Sequence, residues 1–151
     1  MKKYYKVDKA KKYLSQARTA NERIIQCNCM LEQLKGEYGK LTANYGESIG
    51  HGSKKHDTSD YIVNLIEQEK QIEAQKVKFQ QKKYEICNFI LDLDISPKDE
   101  PLRRLLILRY VNLKSFDEIY TEMSYSYNYI IQTMHPKALY IVEQALNTTQ
   151  K

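Results

Sequence analysis

The stretch RYVNLKSFDEIYTEMSYSYNYIIQTMHPKAL, residues 109–139, decides how this chain is read. At its centre, Ser115-Phe116-Asp117-Glu118 places a serine three residues before a glutamate, the spacing of a capping box in which each side chain satisfies the other's orphan amide. Asp117 and Glu118 also complement the positive end of a helix dipole. The helix opened there continues through Ile119 and Met123. Ser124-Tyr125-Ser126 then makes a short turn, and Ser126 stands where it caps a further helix, YNYIIQTMH. A short helix, a tight turn and a second short helix is the helix-turn-helix layout.

In that layout the second helix enters the DNA major groove with its N-terminal residues against base edges. Ile130 and Met134, four apart, are expected to face the core. The expected DNA-facing set is Ser126, Tyr127, Asn128, Tyr129, Gln132, Thr133 and Lys137. Asn and Gln pair bidentately with adenine, and Thr and Tyr reach phosphates or a thymine methyl. Arg103, Arg104 and Lys114 are expected phosphate contacts. The alternative for Tyr125, Tyr127 and Tyr129 is a packing face against the N-terminal helices.

Working upstream, Pro101 sits where a first helical residue belongs, and Leu102, Leu105, Leu106, Leu108 and Val111 predict a short buried helix that stops at Asn112-Leu113-Lys114. Two prolines in residues 94–101 break what precedes and mark a domain boundary, so that 95–151 forms the C-terminal domain. Before it the pattern is heptad. Ala10, Ala17, Ile24, Leu31 and Tyr38 form one seam over 1–41, and Tyr13, Ala20, Cys27, Leu34 and Leu41 form the other. A second long helix over 60–94, capped by Thr58 or Ser59, carries the seam Leu65, Ile72, Phe79, Ile86 and Leu93, while Glu69, Lys76 and Lys83 interrupt its companion. Between the two, TANYGESIGHGSKKHDTS (42–59) is rich in glycine and small polar residues and reads as a flexible connector. The economical arrangement folds the first long helix back on the second, with further packing on another copy of the chain. The fold class expected is all-α: two long helices as a hairpin or coiled coil, followed by a helix-turn-helix domain.

The chain has 151 residues, a net charge of +5, five glycines and three prolines, a profile that suits long helices. Residues 1–41 hold ten Lys/Arg against four Asp/Glu, whereas 97–151 hold seven against six, so the basic excess lies away from the expected DNA reader. No apolar run is long enough for a membrane span, and the Lys- and Tyr-rich start does not read as a signal peptide. Three cysteines do not make a disulfide framework, which points to a reducing, cytoplasmic setting. Cys27-x-Cys29 directs its thiols about 200° apart on a helix, which disfavours a metal site. His51 and His56 fall in the connector. No phosphate-binding glycine loop, HExxH pair or nucleophile elbow is present, so neither an enzyme nor a cofactor is expected.

Residues 109–139 resemble the fourth conserved region of sigma factors, with matching positions at Arg109-Tyr110, Ser115, Glu118-Ile119, Ser126, His135 and Ala138-Leu139. More broadly the chain is similar to phage-encoded regulators of the RinA/ArpU type, whose polar heptad half precedes such a module; Tyr13 to Ala17, YLSQA, also fits them. The resemblance implies a transcriptional regulator of phage or prophage late genes in a bacterial host cytoplasm. Its expected partners are double-stranded DNA, further copies through the N-terminal helices, and RNA polymerase, with no membrane. The rival reading is a helical adaptor that binds polymerase or another protein and has lost DNA. Three positions depart from the pattern. Tyr120 replaces a small alanine and needs extra room, Ser124 replaces the glycine of the turn, and Pro136 predicts a kink or restart in the last helix.

Overall fold

A computed structural model describes residues 6–45 and 55–149, with side chains at 6–41 and 59–149. The described chain is all helical, with no strand. Helix α1 spans Asp8–Tyr45 and α2 spans Lys55–Leu91. A 3-10 turn at Pro97–Asp99 leads into α3, residues 100–111, whose last turn, Ile107–Val111, is widened by one residue. Helix α4 is Phe116–Met123. Helix α5, residues 127–149, starts at Tyr127–Tyr129, passes through a second wide turn at Ile130–Met134 and runs on as His135–Thr149. Both long helices reach into the stretch expected as connector: 42–45 and 55–59 are helical, so Thr58 and Ser59 lie inside α2 rather than at its start. The rest of that expected connector, 46–54 with His51, lies outside the described residues.

The chain divides into two compact units, Met1–Asn21 with Gln81–Lys151, and Glu22–Gln80. The first unit holds the large core. Leu105, Leu106, Ile119, Ile130 and Val142 are fully buried together with Ala10, Leu14 and Ala17 of α1 and Ile86 and Ile90 of α2. The expected boundary at 94–101 is a break in secondary structure but not in packing. The apolar faces of α3, α4 and α5 are completed by the start of α1 and the end of α2, which bury residues in the same core. Edge-on packing of Tyr13 against Phe89, centroids 4.9 Å apart, joins the two long helices here. Lys83 Nζ donates to Asn21 Oδ1 at 3.2 Å, and Asn21 Nδ2 donates to Val111 O at 3.3 Å.

Two further contacts fix helix ends in this unit. Glu143, the buried charged residue of the core, accepts a 2.7 Å hydrogen bond from Ala10 N at the start of α1. A carboxylate at a helix N-terminus satisfies an orphan amide and complements the dipole. At the other end, Arg103 closes α2: its guanidinium donates to the carbonyls of Ile90, Leu91 and Leu93 and to both oxygens of Glu100.

The second unit is a pair of helical segments from α1 and α2. Among the described residues its buried apolar side chains are Cys27, Leu34 and Leu65, all on the expected seams, while Ile24, Leu31, Ile72 and Phe79 are half-buried. Tyr61 donates to Glu37 at 3.1 Å across the pair. A groove of about 560 Å³ opens between the segments, lined by Cys27, Met30, Ile72 and Phe79 and rimmed by Gln26 and Gln75. No described helix is long and apolar enough to cross a membrane.

Candidate nucleic-acid interface

The helix-turn-helix forms as the capping residues direct. Ser115 Oγ accepts from Glu118 N at 3.3 Å and opens α4. Only this forward half of the capping box forms among the described residues. Helix α4 ends at Ser124, whose φ of 61° and ψ of 32° place it in the left-handed region, where it donates from N to Tyr120 O at 3.1 Å. That is the position where glycine is usual in the motif, and a serine there carries a steric cost that glycine does not. Two residues on, Ser126 Oγ accepts from Tyr129 N at 3.2 Å and opens α5. Both helices bury their inner faces, Ile119 and Met123 on α4, Ile130 and Met134 on α5.

The outer face of α5 carries Tyr127, Asn128, Tyr129, Gln132, Thr133 and Lys137, all exposed. Among the described residues the ring contacts of these tyrosines are with one another and with Tyr120, not with an aromatic residue of the N-terminal helices. Tyr125, Tyr127 and Tyr129 are 38–47% exposed and meet one another and Tyr120: Tyr125 against Tyr129 at 5.8 Å and Tyr120 against Tyr127 at 6.0 Å. Tyr120 therefore needs no extra room in the core. It stands beside the buried Ile119 on the solvent side of α4.

Pro136 does not end α5, but the regular helix is interrupted just before it and resumes at His135. A proline lacks the N–H that the carbonyl four residues back would accept, and its ring crowds that carbonyl. The helix meets this with the wide turn just before it, in which His135 N donates to Ile130 O, and continues to Thr149. The wide turn of α3 lies beside it. There Asn112 N donates to Ile107 O at 2.9 Å, and Leu113 adopts a left-handed φ of 57° to close the helix. The two wide turns are joined by a 2.8 Å hydrogen bond between Tyr110 OH and His135 Nε2. His135 also packs edge-on against Phe116 at 5.1 Å, and the Arg109 guanidinium lies over the Phe116 ring, 4.2 Å from its centroid. Burial, then the charges of Arg109 and Lys11, push the His135 pKa down to about 4, so the imidazole is neutral at pH 7. Burial raises the Tyr110 phenol.

The cations expected to hold phosphates are placed unequally. Arg103 has its five N–H donors occupied by the carbonyls of Ile90, Leu91 and Leu93 at and just past the end of α2 and by Glu100, so it closes a helix and has none left for DNA. Lys114 pairs with Glu122 on α4. Lys137 pairs with Asp99 at 3.0 Å, and this bond, with a smaller contribution from the charge itself, holds the Asp99 carboxyl below its usual range. Arg104 is exposed and makes no ion pair among the described residues. Glu143 and Lys98 are structurally placed residues that the motif reading passed over, and His135 enters it only as a pattern position with no role. Only Glu143 left a signal, standing on the apolar stripe of α5 between Leu139, Val142 and Leu146.

Cys27 is buried on its seam and Cys29 is exposed, so the pair diverges as the helical spacing requires. Among the described residues no group of three or more His, Cys, Asp or Glu is placed to hold a metal ion. No family model matches the chain, and no curated protein or solved structure matches it either.

Proposed function

We propose that the chain is a DNA-binding transcription regulator, reading sequence with the outer face of α5. The observation that carries this is the pairing of two capped helices around a left-handed turn with a neutral, hydrogen-bonding outer row. Asn128 and Gln132, one turn apart on the exposed face, suit adenine edges in the major groove. In this reading Lys137 and Arg104 meet phosphates, Lys114 does so only by leaving Glu122, and the helical pair at 22–80 associates with a second copy or with RNA polymerase. Control of phage or prophage late genes in a bacterial cytoplasm is the setting that the sigma-like pattern suggests.

A second reading is a protein-binding adaptor. It is favoured by the cluster of Tyr120, Tyr125, Tyr127 and Tyr129, since exposed tyrosines are enriched at protein interfaces, and by the ion pairs that neutralise Lys114 and Lys137. Fluorescence anisotropy on pooled upstream DNA from the source genome, at two salt concentrations, separates them. Tight binding to one fragment that weakens steeply with salt supports the regulator, because phosphate contacts release counterions. Binding no better than to random DNA at both salts supports the adaptor. Asn128→Ala with Gln132→Ala should then relax sequence preference, and equal loss on every sequence would remove those two residues from base reading.

A further inference from the structure

We infer that the recess between the Pro97–Asp99 turn and α5 is a binding pocket for one phosphate group, supplied by the DNA backbone beside the bases read by Asn128 and Gln132. The inference rests on the DNA-binding reading of α5 and assigns a residue, Lys98, that the helix-turn-helix pattern does not point to. The recess has a volume of about 110 Å³, the scale of a single oxyanion and too small for a nucleoside. It is lined by two cationic residues, Lys98 from the turn and Lys137 from α5, by the hydroxyl-bearing Tyr125, Tyr129 and Thr133, and on its apolar side by Pro101, Leu102 and Met134. The carboxylate on its lining is Asp99, which holds Lys137 at 3.0 Å. Lys98 makes no ion pair among the described residues.

Two cationic and three hydroxyl-bearing residues around a small open recess suit the acceptor-only oxygens of a phosphate. Placement on α5 fits as well. Tyr129, Thr133 and Lys137 follow one another at four-residue steps, and Asn128 and Gln132 occupy the neighbouring strip. One strip then faces base edges while the next holds the flanking phosphate, which sets the register of the helix on the duplex. Tyr129 and Thr133 move from base contact to phosphate contact in this assignment. Asp99 becomes a competitor: it keeps Lys137 neutralised until a phosphate displaces it.

The test is the salt dependence of affinity for a mixed-sequence duplex, measured on the full chain by anisotropy. Each neutralised phosphate contributes about 0.9 to the slope of log affinity against log salt. Lys98→Ala and Lys137→Ala should each lower the slope by about that amount and weaken binding about tenfold at moderate salt. The double variant should lose about one contact, not two, because both lysines serve the same phosphate. Asp99→Asn should bind several-fold tighter, with Lys40→Ala unchanged. Duplex binding with slopes unaltered by Lys98→Ala, or with additive losses in the double variant, overturns the pocket and leaves the DNA reading standing. Absence of duplex binding by the unaltered chain overturns the DNA reading and, with it, DNA as the phosphate source. Inorganic phosphate followed by amide chemical shifts at Tyr129 and Thr133 then reports the pocket itself: saturable shifts lost in the double variant support it for a free phosphate, and no shift overturns it.

Discussion

The same heptad pattern runs through both compact units and leads to different burial. In the first unit the seam residues Ala10, Ala17, Ile86 and Leu93 are buried, because α3, α4 and α5 cover them. In the second, the equivalent Ile24, Leu31, Ile72 and Phe79 stay half-buried, with a groove between the segments. Heptad spacing determines which face a helix offers. Whether that face is desolvated depends on how many partners reach it, and two helices cover each other only along one strip. Stability should therefore concentrate in the unit that presents α5.

The largest test of that contrast is a pair of truncations. Ile119→Ala should cost about 3–4 kcal/mol, since it opens a cavity in a closed core, and Ile72→Ala about 1 kcal/mol, since its site is already part solvent. Urea unfolding of the two variants measures this, and equal costs would erase the distinction between the units. Second in size is pH. His135 has a folded pKa of about 4 against about 6.5 unfolded, so the unfolded chain takes up the proton first as pH falls. The stability from keeping it neutral is full above about pH 6.5 and is lost progressively toward pH 4, about 3 kcal/mol in all. Unfolding midpoints across that range should show the slope, and His135→Gln should flatten it; an unchanged slope would place the acid sensitivity elsewhere.

Glu143→Ala should cost about 2 kcal/mol by leaving Ala10 N buried without an acceptor, and Glu143→Gln less, because an oxygen remains. If the two variants unfold alike, the carboxylate contributes only packing. The smallest expected effect has the opposite sign. Ser124→Gly should raise stability by up to about 1 kcal/mol, since glycine adopts φ near 61° without the Cβ clash. A thermal midpoint that falls would mean that the serine side chain makes a contact outweighing the strain.

Much of the module was legible in residues 109–139 because its cues are short-range. A serine caps a helix that starts next to it, so Ser115 and Ser126 mark the starts of α4 and α5, and Ile130 and Met134 turn inward by helical spacing alone. The charged residues were less legible. Arg103 and Lys137 both look like free cations in sequence, yet one closes α2 and the other meets Asp99, thirty-eight positions away. At Pro136 the expected break takes the form of a wide turn just before the proline, and the sequence does not show that Tyr110 bonds His135 beside it.

By itself the sequence determined that the chain is helical, where the short helices begin, and which stripe of each helix is apolar, because these follow from spacing and from bonds within a few residues. The tertiary structure alone decided that the start of α1 and the end of α2 complete the C-terminal core, that Glu143 caps α1, and that Lys98 and Lys137 share one recess. Those outcomes depend on which distant groups desolvate one another, and no local pattern encodes that.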